Sequence, residues 1–354
     1  MEILSDLIRS MVGEGASEQG VFIGAATTMA VLMFTVMALC AIIFTWMERK
    51  VAGFIQSRYG PMRTGRWHGW AQAIADMLKI LGKEDIIPAE ANKALFMFGP
   101  ILVLLGSLLA WAAIPWDSGF VAADLDLGLF YIFAVSSMVI IGILMSGWAS
   151  NNKWALYGAA RGAAQMVSYE IPLALATIPV VMATGSLNTQ DIVIAQGGGM
   201  WNWYINPVNN PFLFVAFFMY FIASIAETNR GPFDMPETES ELVAGYHTEY
   251  TGMRFAFFFL SEYANLFLVS LIAAMVFLGG WQAPFPFLEF IPGWVHFIIK
   301  GVMLVFLNMW VRWTLPRVRV DQLMHLCWKV MIPISLLCVV GAGIWMMVTG
   351  QAAA

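Results

Sequence analysis

Residues 21–50 read VFIGAATTMAVLMFTVMALCAIIFTWMERK, an apolar run that meets its first charges only at Glu48, Arg49 and Lys50. A helix rises about 1.5 Å per residue and the hydrocarbon core of a bilayer is about 30 Å thick, so about 20 apolar residues suffice to cross it. The run is too long for the apolar core of a secretion signal and ends on charges without a small-residue cleavage site, which predicts a retained transmembrane helix. Reading outward, similar stretches recur at 94–116, 127–149, 156–183, 207–226, 254–279, 293–313 and 328–349, giving eight expected spans. The fifth starts among Pro207 and Pro211, which crowd a helix start.

Composition agrees. Of 354 residues 60% are apolar and 12% charged, with a mean hydropathy of +0.74. A soluble domain carries about 25% charged residues, so a water-facing surface could not be covered and a soluble enzyme is excluded. Disorder, collagen-like repeats and coiled coil fail for want of low hydrophobicity, Gly periodicity or heptads. The predicted fold class is an all-α polytopic membrane protein, one integral membrane domain over residues 1–354.

Basic residues orient it. The loop after the first span holds Arg49, Lys50, Arg58, Arg63, Arg66, Lys79, Lys83 and Lys93; alternate loops add Lys153 with Arg161, Arg230 with Arg254, and Arg312, Arg317, Arg319 and Lys329. Only Arg9 and Lys300 fall elsewhere. Basic loops stay cytoplasmic, so both termini are expected in the periplasm. Within the first loop, residues 62–82 form an expected amphipathic surface helix: Trp67, Trp70, Ala71, Ile74, Leu78 and Leu81 recur at helical spacing, with His68, Gln72, Asp76, Lys79 and Lys83 opposite. On pattern alone it is equally an anchor and nothing more.

Several carboxylates stand where lipid makes them costly, and an ionisable group in a span is a functional candidate. In RGAAQMVSYEIP, residues 161–172, Glu170 lies about 20 Å in from the cytoplasmic end by helical rise, and Glu262, next to Tyr263, about 12 Å. Glu48 and Glu227 close the first and fifth spans. Residues 227–253 form an acidic cytoplasmic loop with Glu227, Asp234, Glu237, Glu239, Glu241 and Glu249, broken by Gly231-Pro232 and Met235-Pro236. One reading is a solvated loop pairing with the basic first loop. The other is a row of mutually repelling carboxyls whose pKa values rise until they pass protons, continuous through Glu227 with Glu262 and Glu170.

Cys40, Cys327 and Cys338 are scattered, so neither a disulfide framework nor a four-thiolate iron–sulfur cluster is expected, and no GxGxxG follows a strand. The four histidines show no ligand spacing, so no metal site is expected, and any redox cofactor belongs to another chain.

The runs TWMERKVAGFIQSRYGP (45–61), QAIADMLKILGKED (72–85), SGWASNNKWALYGAARGAAQMVSYEIP (146–172), AETNRGPFDMPETESELVAGYHTEY (226–250), FFLSEYANL (258–266) and LPRVRVDQLMHLCWK (315–329) resemble the family of the H subunit of bacterial NADH-quinone oxidoreductase, respiratory complex I, the counterpart of mitochondrial NADH dehydrogenase subunit 1. The resemblance covers roughly residues 40–330. It implies a membrane subunit where the membrane and hydrophilic arms meet, with quinone as substrate and FMN and iron–sulfur clusters on partner subunits. It implies a quinone doorway between the first span, the surface helix and the sixth span, and a quinone path past Arg49, Arg58, Asp76, Arg230, Phe233, Asp234 and Arg312. It implies a proton pathway through Glu48, Glu237, Glu239, Glu249, Glu227, Glu262, Tyr263 and Glu170. The implied partners are hydrophilic quinone-site and cluster-bearing subunits, antiporter-like membrane subunits and the lipid bilayer, with no nucleic acid.

Lacking an Arg-rich presequence, the chain is expected in a bacterial inner membrane. Rival expectations are the homologous subunit of a membrane-bound hydrogenase or formate hydrogenlyase, a stand-alone proton-coupled transporter, and a scaffold whose acids only bind partners.

Overall fold

The computed structural model describes residues 18–350. Its helices are α1 (Glu18–Ile55), α2 (Gln72–Leu81), α3 (Lys93–Ala110), α4 (Gly128–Ala149), α5 (Lys153–Thr184), α6 (Thr189–Ile194), α7 (Pro211–Glu227), α8 (Glu239–Leu242), α9 (Gly252–Phe277), α10 (Gly293–Thr314), α11 (Val320–His325) and α12 (Ile332–Thr349). Among the described residues there is no strand, only an isolated bridge between Asp117 and Phe120. Among the described residues seven helical stretches are long and apolar enough to cross a membrane: α1, α3, α4, α5, α9, α10, and α11 with α12 together. The expected fifth span is α7, apolar but only 17 residues long.

Local chemistry sets the boundaries. Asn210 starts α7 by accepting a hydrogen bond from the Phe212 N–H, and Pro211 takes the first helical position, where its missing N–H costs nothing. The span therefore begins later than 207. The last span begins earlier than 328, at Val320, and passes through a π-helical turn over Leu326–Met331, with Pro333 just beyond it. α1 runs past 47 to Ile55, so Glu48, Arg49 and Lys50 lie within a helix rather than at its exit. At about 1.5 Å per residue its 38 residues exceed the hydrocarbon thickness. The surface helix is shorter than expected, starting at Gln72, because Gly65, Arg66, His68 and Gly69 take left-handed φ values of 79°, 62°, 52° and 67°, which no helix continues through. At Gly69 an added Cβ would overlap the Pro61 carbonyl. Trp67 and Trp70 thus precede the helix, yet with Leu78 and Leu81 they remain exposed on its apolar side.

α9 is the central pillar, packed by α1, α3, α7 and α10 and buried continuously from Leu266 to Phe277. α3 and α4 pack closely because Gly142 meets Val103: a Cβ there would sit 2.9 Å from the Val103 nitrogen and 3.1 Å from the Gly99 carbonyl oxygen. Small residues supply such close approach where lipid removes the hydrophobic drive for association. α5 lies against α4, α7 and α12. Phe22, Val31, Leu39, Leu337, Val340 and Met347 are exposed along α1 and α12, apolar faces suited to lipid.

Candidate functional site

α1, α2 and α9 enclose a cleft of about 350 Å³ lined by Ala41, Ile42, Thr45, Ala73, Met77, Ile80, Phe255 and Phe259, with Arg49, Asp76, Lys79 and Lys83 on its polar side. Arg49 pairs with Asp76, which also accepts a hydrogen bond from Gln72 at 3.1 Å. The cleft is apolar within and charged at one end, a shape that suits an amphipathic ligand.

Next to Arg49 on α1, Glu48 is buried at 5% exposure. Its Oε2 accepts hydrogen bonds from Arg230 Nη1 and from the Tyr263 hydroxyl, both at 2.8 Å, and its Oε1 from Arg312 Nη1 at 2.5 Å. Arg230 pairs at 2.9 Å with Glu262 and lies 4.3 Å over the Tyr263 ring. Two acids thus offset two bases, the condition under which charge survives burial. Burial works against the Arg230 charge, but Glu48 and Glu262 outweigh it and hold the guanidinium above its ordinary pKa.

The acidic loop folds back over this cluster. Gln165 of α5 donates to the Ala226 and Phe233 carbonyls at 2.6 and 2.8 Å, pinning the loop to the end of α7. Phe233 is buried with its ring 5.9 Å from Tyr169. Asp234 pairs with Arg317 at 3.0 Å. Glu237 accepts a hydrogen bond from the Tyr246 hydroxyl at 3.2 Å and lies 3.6 Å from His247 Nδ1. Burial, followed by the Glu262 and Asp234 carboxylates, pushes the Glu237 carboxyl well above the usual range, with Arg312 opposing. Burial pushes the His247 imidazole down to about 4. The loop needs Gly245 at φ 59°, where a Cβ would overlap the Pro236 carbonyl, and Gly158 lets Gly245 cross α5.

Deeper in, Glu227 lines two small cavities of about 20 Å³ each. The first also reaches Glu237, Tyr246 and Glu262, the second Ser136. The Ser136 hydroxyl makes a long 3.5 Å contact to Glu170. The Glu227 Oε2 is buried without a hydrogen-bond partner, a group that needs an explanation.

The structure therefore brings together Glu48, Arg230, Glu262, Tyr263 and Arg312, sets Arg49 and Asp76 at the cleft, and joins Glu237, Glu227 and Glu170 by small cavities and Ser136. Arg58 stands apart, its guanidinium donating at 2.6 Å to Gln56. Glu249 stands apart too, taken by Asn152 at 2.6 Å. Glu239 is in α8, but its side chain lies outside the described residues. Absent from the residue set read from sequence are Tyr246, Arg317 and Asn265, the last lining both cavities. They are ordinary loop or helix residues whose partners come from other helices, so no local pattern marks them.

The described residues hold no group of three or more His, Cys, Asp or Glu arranged to take a metal ion. The three cysteines are buried and form no disulfide.

The sequence profile described as NADH dehydrogenase matches residues 27–343. The NADH-quinone oxidoreductase H subunit of Chlorobaculum tepidum is 50% identical over 310 residues, covering 84% of this chain and 86% of its own. The protein of that name from a Geobacillus species is 50% identical over 315 residues, covering 89% and 90%. That of Anaeromyxobacter dehalogenans is 44% identical over 359 residues, covering 95% and 86%. A family profile over residues 27–343 and identities of 44–50% over 84–95% of the chain decide the matter: the chain belongs to the NADH dehydrogenase family, that of the NADH-quinone oxidoreductase H subunits.

Proposed function

We propose that this chain is the membrane subunit of a proton-pumping NADH:quinone oxidoreductase that admits quinone from the lipid and couples its reduction to proton movement. The observation that carries the reading is the adjacency on α1 of Arg49, at the mouth of the apolar cleft, and Glu48, in the buried charge cluster. The cluster thus begins one residue along α1 from a ligand-sized opening, and its Glu262 lines a cavity beside Glu227.

The chain crosses the membrane eight times, α7 being the shortest span, with both termini periplasmic in a bacterial inner membrane. Basic loops on one side support that orientation. Quinone slides its head past the Arg49–Asp76 pair and its tail against Ile42, Met77 and Phe259. Electrons come from an iron–sulfur cluster on a neighbouring hydrophilic subunit, which together with antiporter-like membrane subunits completes the assembly. Changing the charge near Glu237 and Asp234 shifts proton affinity along Glu262, Glu227 and Glu170, since charges a few Å apart in a desolvated site interact by about 4 kcal/mol. Arg230, Phe233 and Arg312 support the quinone path from the cluster and loop beyond the cleft, and Arg58, which stands apart from both, is assigned to its cytoplasmic approach. Glu48, Tyr263, Glu239 and Glu249 belong to the proton route or its cytoplasmic approach.

Membrane vesicles carrying Glu227→Gln, Glu262→Gln or Glu170→Gln are expected to lose quinone-linked proton pumping while NADH oxidation by ferricyanide continues. Normal pumping in all three removes the proton pathway and leaves a scaffold. The hydrogenase-type alternative requires no quinone, and inhibitor-sensitive NADH:quinone activity of the purified assembly excludes it.

A further inference from the structure

At the end of the bundle opposite the acidic loop, the ends of α5 and α12, the start of α7 and the loop before it enclose an open recess of about 240 Å³. Asn202, Tyr204, Asn209 and Asn210 line it, with Leu213 and Met346 on its apolar side. The hydrogen bonding of its amides is one-sided. Asn202 donates from Nδ2 to the Gly197 carbonyl at 2.8 Å, and Asn209 from Nδ2 to the Trp201 carbonyl at 2.7 Å. Both amides are thereby held with their Oδ1 atoms unused among the described residues, and the Tyr204 hydroxyl is unused as well. Gly198, at φ 101°, makes room for this corner: a Cβ there would lie 2.5 Å from Asn202 Nδ2.

Asn210 has the opposite need. It is 2% exposed, and its Oδ1 caps α7 by accepting from the Phe212 N–H at 3.0 Å, while its Nδ2 is buried without a hydrogen-bond partner. A buried donor left bare costs about 1–3 kcal/mol, so an acceptor is wanted there. The recess therefore asks for a ligand that donates several hydrogen bonds and accepts one.

Its surroundings narrow the choice. Trp201, Val208 and Met347, the chain neighbours of Asn202, Asn209 and Met346, are exposed at 69%, 82% and 82%. A polar interior with an apolar rim reverses the usual plan of a site for a soluble small molecule, and it suits a lipid with its headgroup inside and its chains against the rim. The loops at this end, residues 111–127, 185–210 and 278–292, hold Asp117, Asp124, Asp126, Asp191 and Glu289 and no Lys or Arg. Such a surface disfavours anionic headgroups. A primary ammonium, with three donors and no acceptor, matches the three unused oxygens. A phosphate oxygen next to it matches Asn210 Nδ2.

We propose that this recess binds the headgroup of phosphatidylethanolamine, its ammonium on Asn202 Oδ1, Asn209 Oδ1 and the Tyr204 hydroxyl and its phosphate on Asn210 Nδ2. A choline headgroup has no N–H to donate, and a glycerol headgroup leaves its negative charge facing five acids. The lipid fills the gap among α5, α7 and α12 at the bilayer surface and ties their ends together.

The test uses the complete complex, delipidated and then placed in nanodiscs of phosphatidylcholine alone or mixed with phosphatidylethanolamine or phosphatidylglycerol. Headgroup density in the recess is expected only with phosphatidylethanolamine. A recess filled by a partner subunit's side chain, or filled alike in all three lipids, overturns the proposal. Mass spectrometry of the gently solubilised complex is expected to count one phosphatidylethanolamine fewer for Asn202→Ala combined with Asn209→Ala. The same loss is expected for Asn210→Asp, which keeps the α7 cap and removes the donor. An unchanged count in either variant overturns the proposal. Should a variant fail to assemble, the density comparison on the wild-type complex decides.

Discussion

Arg230 reaches back 182 residues to donate a 2.8 Å hydrogen bond to Glu48, both side chains being almost fully buried. The contact closes the cytoplasmic loop onto the first helix and fixes the cluster on which the cleft and the acidic loop converge. Removing one member of such a group strands the others in low dielectric. Glu48→Ala, which abandons Arg230 and Arg312, is expected to destabilise the chain by about 3–5 kcal/mol. Glu48→Gln, which keeps acceptor geometry, is expected to cost less. Thermal unfolding in detergent, read by tryptophan fluorescence, checks this, and equal midpoints for wild type and Glu48→Ala would contradict it.

The cleft is open to a bulky substitution at Met77, which is half-buried on α2 and faces its interior. Met77→Trp is expected to raise the KM for a long-tailed quinone about tenfold, equivalent to about 1.4 kcal/mol, with kcat little changed. A quinone without an isoprenoid tail is expected to be unaffected. Equal KM shifts for both substrates would place the tail elsewhere.

Glu237 and His247 face each other with opposite shifts. The carboxyl holds its proton above the ordinary carboxylate range, so an infrared pH titration is expected to show a protonated carboxyl band that persists to higher pH than a free carboxylic acid allows and that Glu237→Gln removes. The imidazole loses its proton down to about 4, against an ordinary 6.5. Between those values the unfolded chain binds the proton and the folded chain does not, so stability falls as pH drops from 6.5 toward 4. His247→Gln is expected to flatten that slope in thermal melts, and an unchanged slope would assign it to other groups.

Lys300 is buried and donates to the Leu278, Gly280 and Gln282 carbonyls at 2.7, 2.8 and 2.8 Å, and lies 4.0 Å over the Trp203 ring. It closes the end of α9, which carries Glu262 and Tyr263 near its other end. Lys300→Met leaves those carbonyls bare and is expected to cost about 3 kcal/mol or more. Lys300→Arg is expected to recover much of the loss, as a lower melting temperature of Lys300→Met against Lys300→Arg would report. A Lys300→Met chain melting with the wild type would mean that the carbonyls find other partners.

How much of this was legible beforehand follows from the range of each interaction. The spans of 21–47 and 127–149 could be read directly, because lipid demands long apolar runs and the demand is local in sequence. So could the candidacy of Glu170, Glu227 and Glu262, because a carboxyl in such a run is conspicuous. Lys300 was, with Arg9, one of two basic residues outside the basic loops, yet nothing near it in sequence announces the carbonyls of Leu278, Gly280 and Gln282 just past the end of α9. The surface helix was overrun at its start, since its apolar spacing continues through residues with left-handed backbone, one of which, Gly69, packs directly against residues 61–62.

Apolar length, basic loops and misplaced acids are properties of the chain itself, and they determined the membrane fold class, the expected orientation and a short set of carboxyls. Tertiary structure alone decided how those acids are used: Glu48 is neutralised by Arg230 and Arg312 while Glu227 is left with a bare oxygen between two cavities. The physical reason is that a charge's behaviour depends on partners within a few Å, and packing brings those partners from helices far apart in sequence.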